Sequence, residues 1–191
     1  MARLEETSVV ERELIASIAE GDSTALADLY ARLRDPLAAY LSLIVRDSSL
    51  REEVIQDTFL AVWNGSGRFR GESSARSWVF GIARRRAIDA LRRTKTPVLI
   101  DLERRDQVDR APGPEQVAIA SFEAAEIRSA IARIAAIHQE VLMLIFTQGL
   151  SYAETAEILA VPIGTVKSRL NHARRSLRNE LGATAGDGHD R

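Results

Sequence analysis

Residues 64–93 hold eight arginines against two carboxylates, with Trp78 among them, and residues 164–181 hold five basic residues against one acid. Guanidinium groups present forked donors that match phosphates and base edges, and an aromatic ring among them offers a stacking surface. The chemistry these residues suit is recognition of a polyanion rather than bond cleavage. The rest of the chain points the same way. There is no Cys, and the three histidines, His138, His172 and His189, are scattered in sequence. No Ser/His/Asp constellation, metal-ligand cluster or phosphate-cradling loop is evident. The expectation is a protein without enzymatic activity, cofactor or metal.

The formal net charge of −1 hides an uneven distribution. Residues 1–63 carry 6 Arg and 12 acids, and residues 94–127 carry 4 basic and 7 acidic residues. Two basic blocks thus sit in an otherwise acidic chain, which predicts polyanion contacts at two separate places rather than a general DNA coat. No apolar run approaches the roughly 18–20 residues that span a bilayer, and the acidic N-terminus lacks the basic and apolar regions of a signal peptide. A cytoplasmic protein without direct membrane insertion is expected.

The elements that position the second basic block are legible. Ser151 followed by Glu154 is a capping box. Ala153, Ala156 and Leu159 give the helix that follows a small apolar face, and Val161-Pro162 stops it. Gly164-Thr165 opens another helix, with Val166, Leu170, Ala173, Leu177 and Leu181 on one stripe. At about 100° per residue, Ser168, Asn171, His172 and Arg175 point away from that stripe, flanked by Lys167, Arg169 and Arg174. A short packed helix followed by a basic, hydrogen-bonding one is the arrangement of a helix-turn-helix in a DNA major groove. The alternative is a helical hairpin with a solvated face. Against it, this face is poor in acids, whereas solvated helices interleave both signs.

The remaining periodicity is helical throughout, over residues 8–20, 23–46, 50–64, 74–93, 116–137 and 138–147, with Pro36 expected to kink or interrupt the second. Gly65, Gly67 and Gly71 mark a loop. Residues 94–115, with Pro97, Pro112, Gly113 and Pro114 and mixed charge, read as a flexible linker. The predicted fold is all-α: two small helical domains, 1–93 and 116–181, joined by that linker and followed by a frayed polar tail over 182–191.

Two surfaces of the first domain need explaining. In the 50–64 helix, Val54, Ile55, Phe59 and Val62 form the inward stripe, and Glu53, Gln56, Asp57 and Leu60 lie opposite. That face is either a protein-docking patch with one apolar anchor or an ordinary surface with one exposed leucine. In the 74–93 helix, Trp78 and Ile82 fall beside Arg85, Arg86, Asp89, Arg92 and Arg93, away from the main apolar face. Trp78 either stacks on bases or packs beneath another helix. The loop from Arg68 to Ser74 either shapes a pocket for an extruded base or is a plain connection.

Taken in order, these segments resemble a bacterial RNA polymerase sigma factor of the extracytoplasmic-function group of the sigma-70 family, over nearly the whole chain. Glu52-Glu53-Val54-Ile55-Gln56-Asp57-Thr58-Phe59-Leu60-Ala61-Val62-Trp63 is similar to the polymerase-binding segment of sigma region 2. Phe69-Arg70-Gly71, Ser77-Trp78-Val79-Phe80-Gly81-Ile82-Ala83-Arg84, Ala87-Ile88-Asp89 and Leu91-Arg92-Arg93 are similar to the promoter −10 recognition and melting segment. Gly149-Leu150-Ser151-Tyr152 and Gly164-Thr165-Val166-Lys167-Ser168-Arg169-Leu170 are similar to sigma region 4, which reads the −35 element. The resemblance implies core polymerase binding through Glu53, Gln56, Asp57 and Leu60. It implies −10 contacts from Arg68, Arg70, Ser74, Trp78, Arg84, Arg85, Arg86, Arg92 and Arg93. It implies −35 contacts from Ser151, Thr165, Lys167, Ser168, Arg169, Asn171, His172, Arg174 and Arg175.

The function so implied is promoter-specific transcription initiation. The partners are core RNA polymerase, duplex −35 and single-stranded −10 DNA, and an anti-sigma factor, in this group often membrane-bound. The acidic linker, with Asp101, Glu103, Asp106 and Asp109, is either a single-strand mimic in the polymerase channel or an inert tether. The chain departs from the family pattern at Arg85, where Asn is usual, at Ile134-Ala135 in place of Leu-Pro, at Thr155 in place of Ile, and at Ala160 in place of Gly. The competing reading is a polymerase-independent helix-turn-helix regulator.

Overall fold

A computed structural model of the chain describes residues 2–94 and 122–186, and every regular element among them is helical. The expected linker beyond Thr94, residues 116–121 and the last five positions of the expected tail lie outside the described residues. The elements are α1 (Ala2–Ala19), α2 (Ser23–Leu41), α3 (Ser48–Gly65), α4 (Ala75–Arg93), α5 (Phe122–Arg133), α6 (Ala136–Leu142), α7 (Tyr152–Leu159) and α8 (Ile163–Gly186). A 3-10 turn at Ser66–Arg68 follows α3, and a π-helical turn at Met143–Thr147 follows α6.

Short polar side chains start these helices by accepting from the free N–H groups of the first turn. Asp22 accepts from Thr24 at 2.8 Å and Ala25 at 3.2 Å, Asp47 from Leu50 at 2.7 Å, and Ser74 from Ser77 at 3.2 Å. Helix α2 continues through Pro36 without interruption. The carbonyl that loses its donor there belongs to Arg32, which is exposed, so water can replace the missing bond. Helix α8 continues five residues past Leu181, through the start of the expected tail.

The expected helices over 116–137 and 138–147 are divided differently. The chain breaks at Ile134-Ala135, restarts as α6, and passes into the π turn. Neither Pro nor Gly marks this break. It is held by Gln139, whose buried amide donates to the carbonyls of Ala132 at 3.2 Å and Ile134 at 2.7 Å, standing in for backbone donors that α5 lacks at its end.

Leu29, Leu33, Leu37 and Leu41 of α2, Val54, Ile55 and Val62 of α3, and Val79, Phe80, Ala83 and Ala87 of α4 interlock as the first part of the core. Val141, Leu144, Leu159, Val166, Leu170 and Ala173 form the second part, and the apolar cluster runs on between the two. Helix α4 packs against α3 on one side and α7 on another.

Candidate nucleic-acid interface

The helix-turn-helix is built as its sequence demands. Ser151 Oγ accepts from Glu154 N at 3.2 Å, and the Glu154 carboxylate accepts from Ser151 N at 2.9 Å, closing the capping box. Ala160 ends α7 in the left-handed region, φ 53°, ψ 46°. Val166, Leu170 and Ala173 are buried, and Leu177 and Leu181 half-buried, as the stripe requires. The other side of α8 is open: Lys167, Ser168, Asn171, His172 and Arg175 are exposed, Thr165 and Arg169 half-buried. Ser151 lies exposed at the start of α7. Arg174 is exposed too, but its guanidinium stands 5.9 Å over the ring of Phe146, itself 61% exposed.

His172 faces His138 of α6, with ring centroids 5.9 Å apart. Burial lowers the His138 pKa from its ordinary value, and the neighbouring His172 and Arg169 lower it further. His138 is therefore held neutral beneath a cationic face. Among the described residues no group of three or more His, Cys, Asp or Glu is placed to hold a metal ion.

The expected polymerase-docking side chains share the outer face of α3. Glu53, Gln56 and Leu60 are exposed, Leu60 by 60%, and Asp57 is half-buried. Asp57 and Leu60 line an open groove of about 280 Å³ together with Ala61, Asn64, Gly65, Arg68 and Arg86. The groove brings two residues expected at the polymerase beside two expected at DNA, a closeness that residue spacing did not reveal.

The −10 residues do not form one open surface. Arg68, Arg70, Arg85, Arg86, Arg92 and Arg93 are exposed. Trp78 is half-buried: it packs on Phe69 with ring centroids 5.2 Å apart and lies over Gly65. Ile82 was expected beside Trp78 on the outer face but is buried, on a helix that packs against α7 as well as against α3.

Arg84 is buried as well. Its Nε donates to Glu140 Oε1 at 2.9 Å, and the Tyr40 hydroxyl donates to the same oxygen at 2.9 Å. Burial pushes the Tyr40 phenol well up from its ordinary pKa, and the Glu140 charge adds to this, so the hydroxyl stays a donor. Ser74 is half-buried. Its N–H donates to Glu154 Oε1 at 3.0 Å, and its hydroxyl donates to the same oxygen. Between these contacts Arg76 pairs with the buried Glu11 of α1 and donates to Gln148 Oε1 at 3.1 Å. Glu11, Glu140 and Gln148 were not singled out from sequence. A buried charge is invisible until its partner, here 56 positions away for Glu140, is placed beside it.

Comparison with known proteins agrees with this architecture. The Sigma-70 region 2 family matches residues 29–96 and the Sigma-70, region 4 family matches residues 124–177. The chain is 30% identical over 173 residues to the ECF RNA polymerase sigma factor SigK of Mycolicibacterium vanbaalenii, covering 88% of each chain. It is 31% identical over 172 residues to the ECF RNA polymerase sigma factor SigM of Mycobacterium tuberculosis, covering 90% of this chain and 85% of that one. Among solved structures, CnrH in complex with the cytosolic domain of CnrY aligns with a TM-score of 0.61 at 26% identity, over 91% of this chain and 98% of that one. The sigma factor RpoE of Bartonella quintana, in complex with the anti-sigma factor NepR, aligns with a TM-score of 0.57 at 26% identity, over 81% and 97%. Two family regions in this order, with relatives matched along nearly their whole length, go against a stand-alone helix-turn-helix regulator. The chain belongs to the extracytoplasmic-function sigma factors of RNA polymerase.

Proposed function

We propose that this sigma factor docks on core polymerase through the α3 face, holds the separated −10 strand with the exposed arginines around α4, and reads the −35 duplex with α8. The observation that carries the assignment of roles is the exposed face of α8, where Lys167, Ser168, Asn171, His172 and Arg175 lie opposite a buried apolar stripe. It combines phosphate-seeking cations with side chains that read base edges. The working units are residues 1–93 and 116–181, with 94–115 as the tether and 182–191 as a tail. The protein acts in the cytoplasm and performs no chemistry of its own; the polymerase does. Among the described residues no helix is long and apolar enough to cross a membrane.

An anti-sigma factor is the proposed inhibitory partner, by analogy with the relatives solved in such complexes. The discriminating experiment compares duplex promoter binding by the free protein and by its complex with core polymerase. Tight, sequence-specific binding only in the complex supports the reading. Equal specificity without polymerase would return the helix-turn-helix regulator to favour.

A further inference from the structure

We propose that Arg12 of α1 is a further −10 residue, which lies against the loop from Arg68 to Ser74 and donates to a phosphate of the separated strand; this rests on the function proposed above. Arg12 Nη2 donates to the carbonyl of Gly71 at 3.5 Å, and its Cζ stands 3.9 Å from where a Cβ on residue 71 would lie. Gly71 turns the loop in the left-handed region, φ 70°, a conformation that favours glycine. The guanidinium therefore rests on bare backbone at the turn of the loop.

Helix α1 is fixed where this contact needs it. Ile15 and Ile18 are buried in the core, and the buried Glu11 accepts from Arg76 Nε of α4 at 3.2 Å. Helix α1 also packs against the 3-10 turn at Ser66–Arg68. Arg12 itself is exposed. The positions one turn away on its own helix, where a carboxylate could pair with it, are Ser8, Val9, Ile15 and Ala16. The one acid of the loop, Glu72, lies 4.0 Å from Arg70. Among the described residues Arg12 has no carboxylate partner.

A single long hydrogen bond from an exposed guanidinium adds little to stability, so holding the fold does not account for a cation here. A polyanion does. Arginine has five N–H donors in a fork that matches phosphate, and the Gly71 carbonyl engages one of them. Arg68 and Arg70 of the same loop are exposed as well. Like charges on one loop and on the helix against it repel each other in the free protein, and a phosphate strand among them offsets that repulsion. One phosphate contact on a single strand contributes about 0.7 to the slope of log affinity against log salt. At about 0.15 M salt such a contact raises affinity roughly fourfold over its value at about 1 M.

The test uses the complex with core polymerase and a fork-junction probe, duplex through the −35 element and single-stranded over the −10, taken from a promoter that run-off transcription identifies. Arg12→Ala should bind the probe roughly fourfold more weakly at about 0.15 M salt, with a salt slope shallower by about 0.7 and with core affinity and melting temperature unchanged. Arg12→Lys keeps the charge and should restore the slope. A merely structural role moves the melting temperature and leaves the slope alone. Wild-type affinity and slope in Arg12→Ala overturn the proposal. So does a change in −10 base preference with the slope unchanged, which would make Arg12 a support of the loop and not a phosphate contact. A wild-type complex that binds no −10 strand fails the proposed function itself, and this inference with it.

Discussion

Ser74 and Glu154, eighty positions apart, are joined by two hydrogen bonds onto one carboxylate oxygen, while the other oxygen of Glu154 closes the capping box of its own helix. One side chain thus serves the N-termini of two helices, where aligned backbone dipoles favour a negative charge.

Acidification should expose this dependence. Burial pushes the Glu154 carboxyl up, but hydrogen bonds from Ser74 and Ser151 outweigh it and hold the group below its ordinary value. A depressed carboxyl contributes stability that is complete above the unfolded pKa and is lost as pH falls through the folded one. Glu154→Gln should cost about 1–2 kcal/mol at neutral pH. It should also flatten the loss of stability that sets in below the ordinary carboxylate range. Urea titrations of both proteins across that range give the comparison; parallel curves contradict the assignment.

Two residues of the helix-turn-helix are predicted to be small defects. The Oγ1 of fully buried Thr155 has no hydrogen-bond partner among the described residues, and Ala160 holds a left-handed backbone conformation that disfavours a Cβ. Thr155→Val and Ala160→Gly should each stabilise the protein, by about 0.5–1 kcal/mol. Thermal melts of the single variants decide this, and destabilisation by either removes that explanation.

What was legible in the sequence was local. The capping box at Ser151, the stop at Pro162 and the stripe through Val166, Leu170 and Ala173 all act within a turn or two, so residue order alone reveals them. What escaped is tertiary. Ile82 read as outward-facing because Val79, Phe80, Ala83 and Ala87 satisfy the opposite side of α4, and nothing nearby announces that α4 also packs against α7 or that Glu140 of α6 buries Arg84. The break at Ile134-Ala135 carries no Gly or Pro and depends on the side chain of Gln139. The outer α3 face and the exposed side of α8 emerged as periodicity predicts, since each lies opposite a strong buried stripe.

Docking on polymerase should depend on the exposed α3 anchor. Leu60→Glu or Asp57→Arg should weaken core binding by roughly tenfold or more with little change in melting temperature, since Leu60 is exposed and Asp57 half-buried. Affinity measured against purified core enzyme tests this. Unchanged binding by both variants rules out the face.

Substitutions on α8 should separate phosphate binding from base reading. Arg169→Ala or Arg175→Ala should weaken binding to all −35 sequences alike. Asn171→Ala with His172→Ala should relax preference, at about 1–3 kcal/mol for each bidentate pairing with a base edge that the substitution removes. Selection from a randomised −35 library with each variant is the measurement, and unchanged preference in the double variant refutes base reading by that pair.

Arg85 remains exposed while its neighbour Arg84 is withdrawn. Arg only donates, whereas the Asn that the family resemblance implies at this position both donates and accepts. Arg85→Asn should therefore shift the preferred −10 base away from acceptor-rich guanine where the side chain meets a base, and reduce opening without a shift where it meets a phosphate. Permanganate footprinting on a randomised −10 library reads it. Unchanged preference and unchanged opening in Arg85→Ala leave base selection to the loop from Arg68 to Ser74.

Run-off transcription with purified core polymerase on a genomic promoter library tests the central claim most directly. The predicted result is discrete start sites that require both core enzyme and this protein, with shared −35 and −10 sequences upstream. No specific initiation with several bacterial core enzymes, by folded protein, contradicts the account.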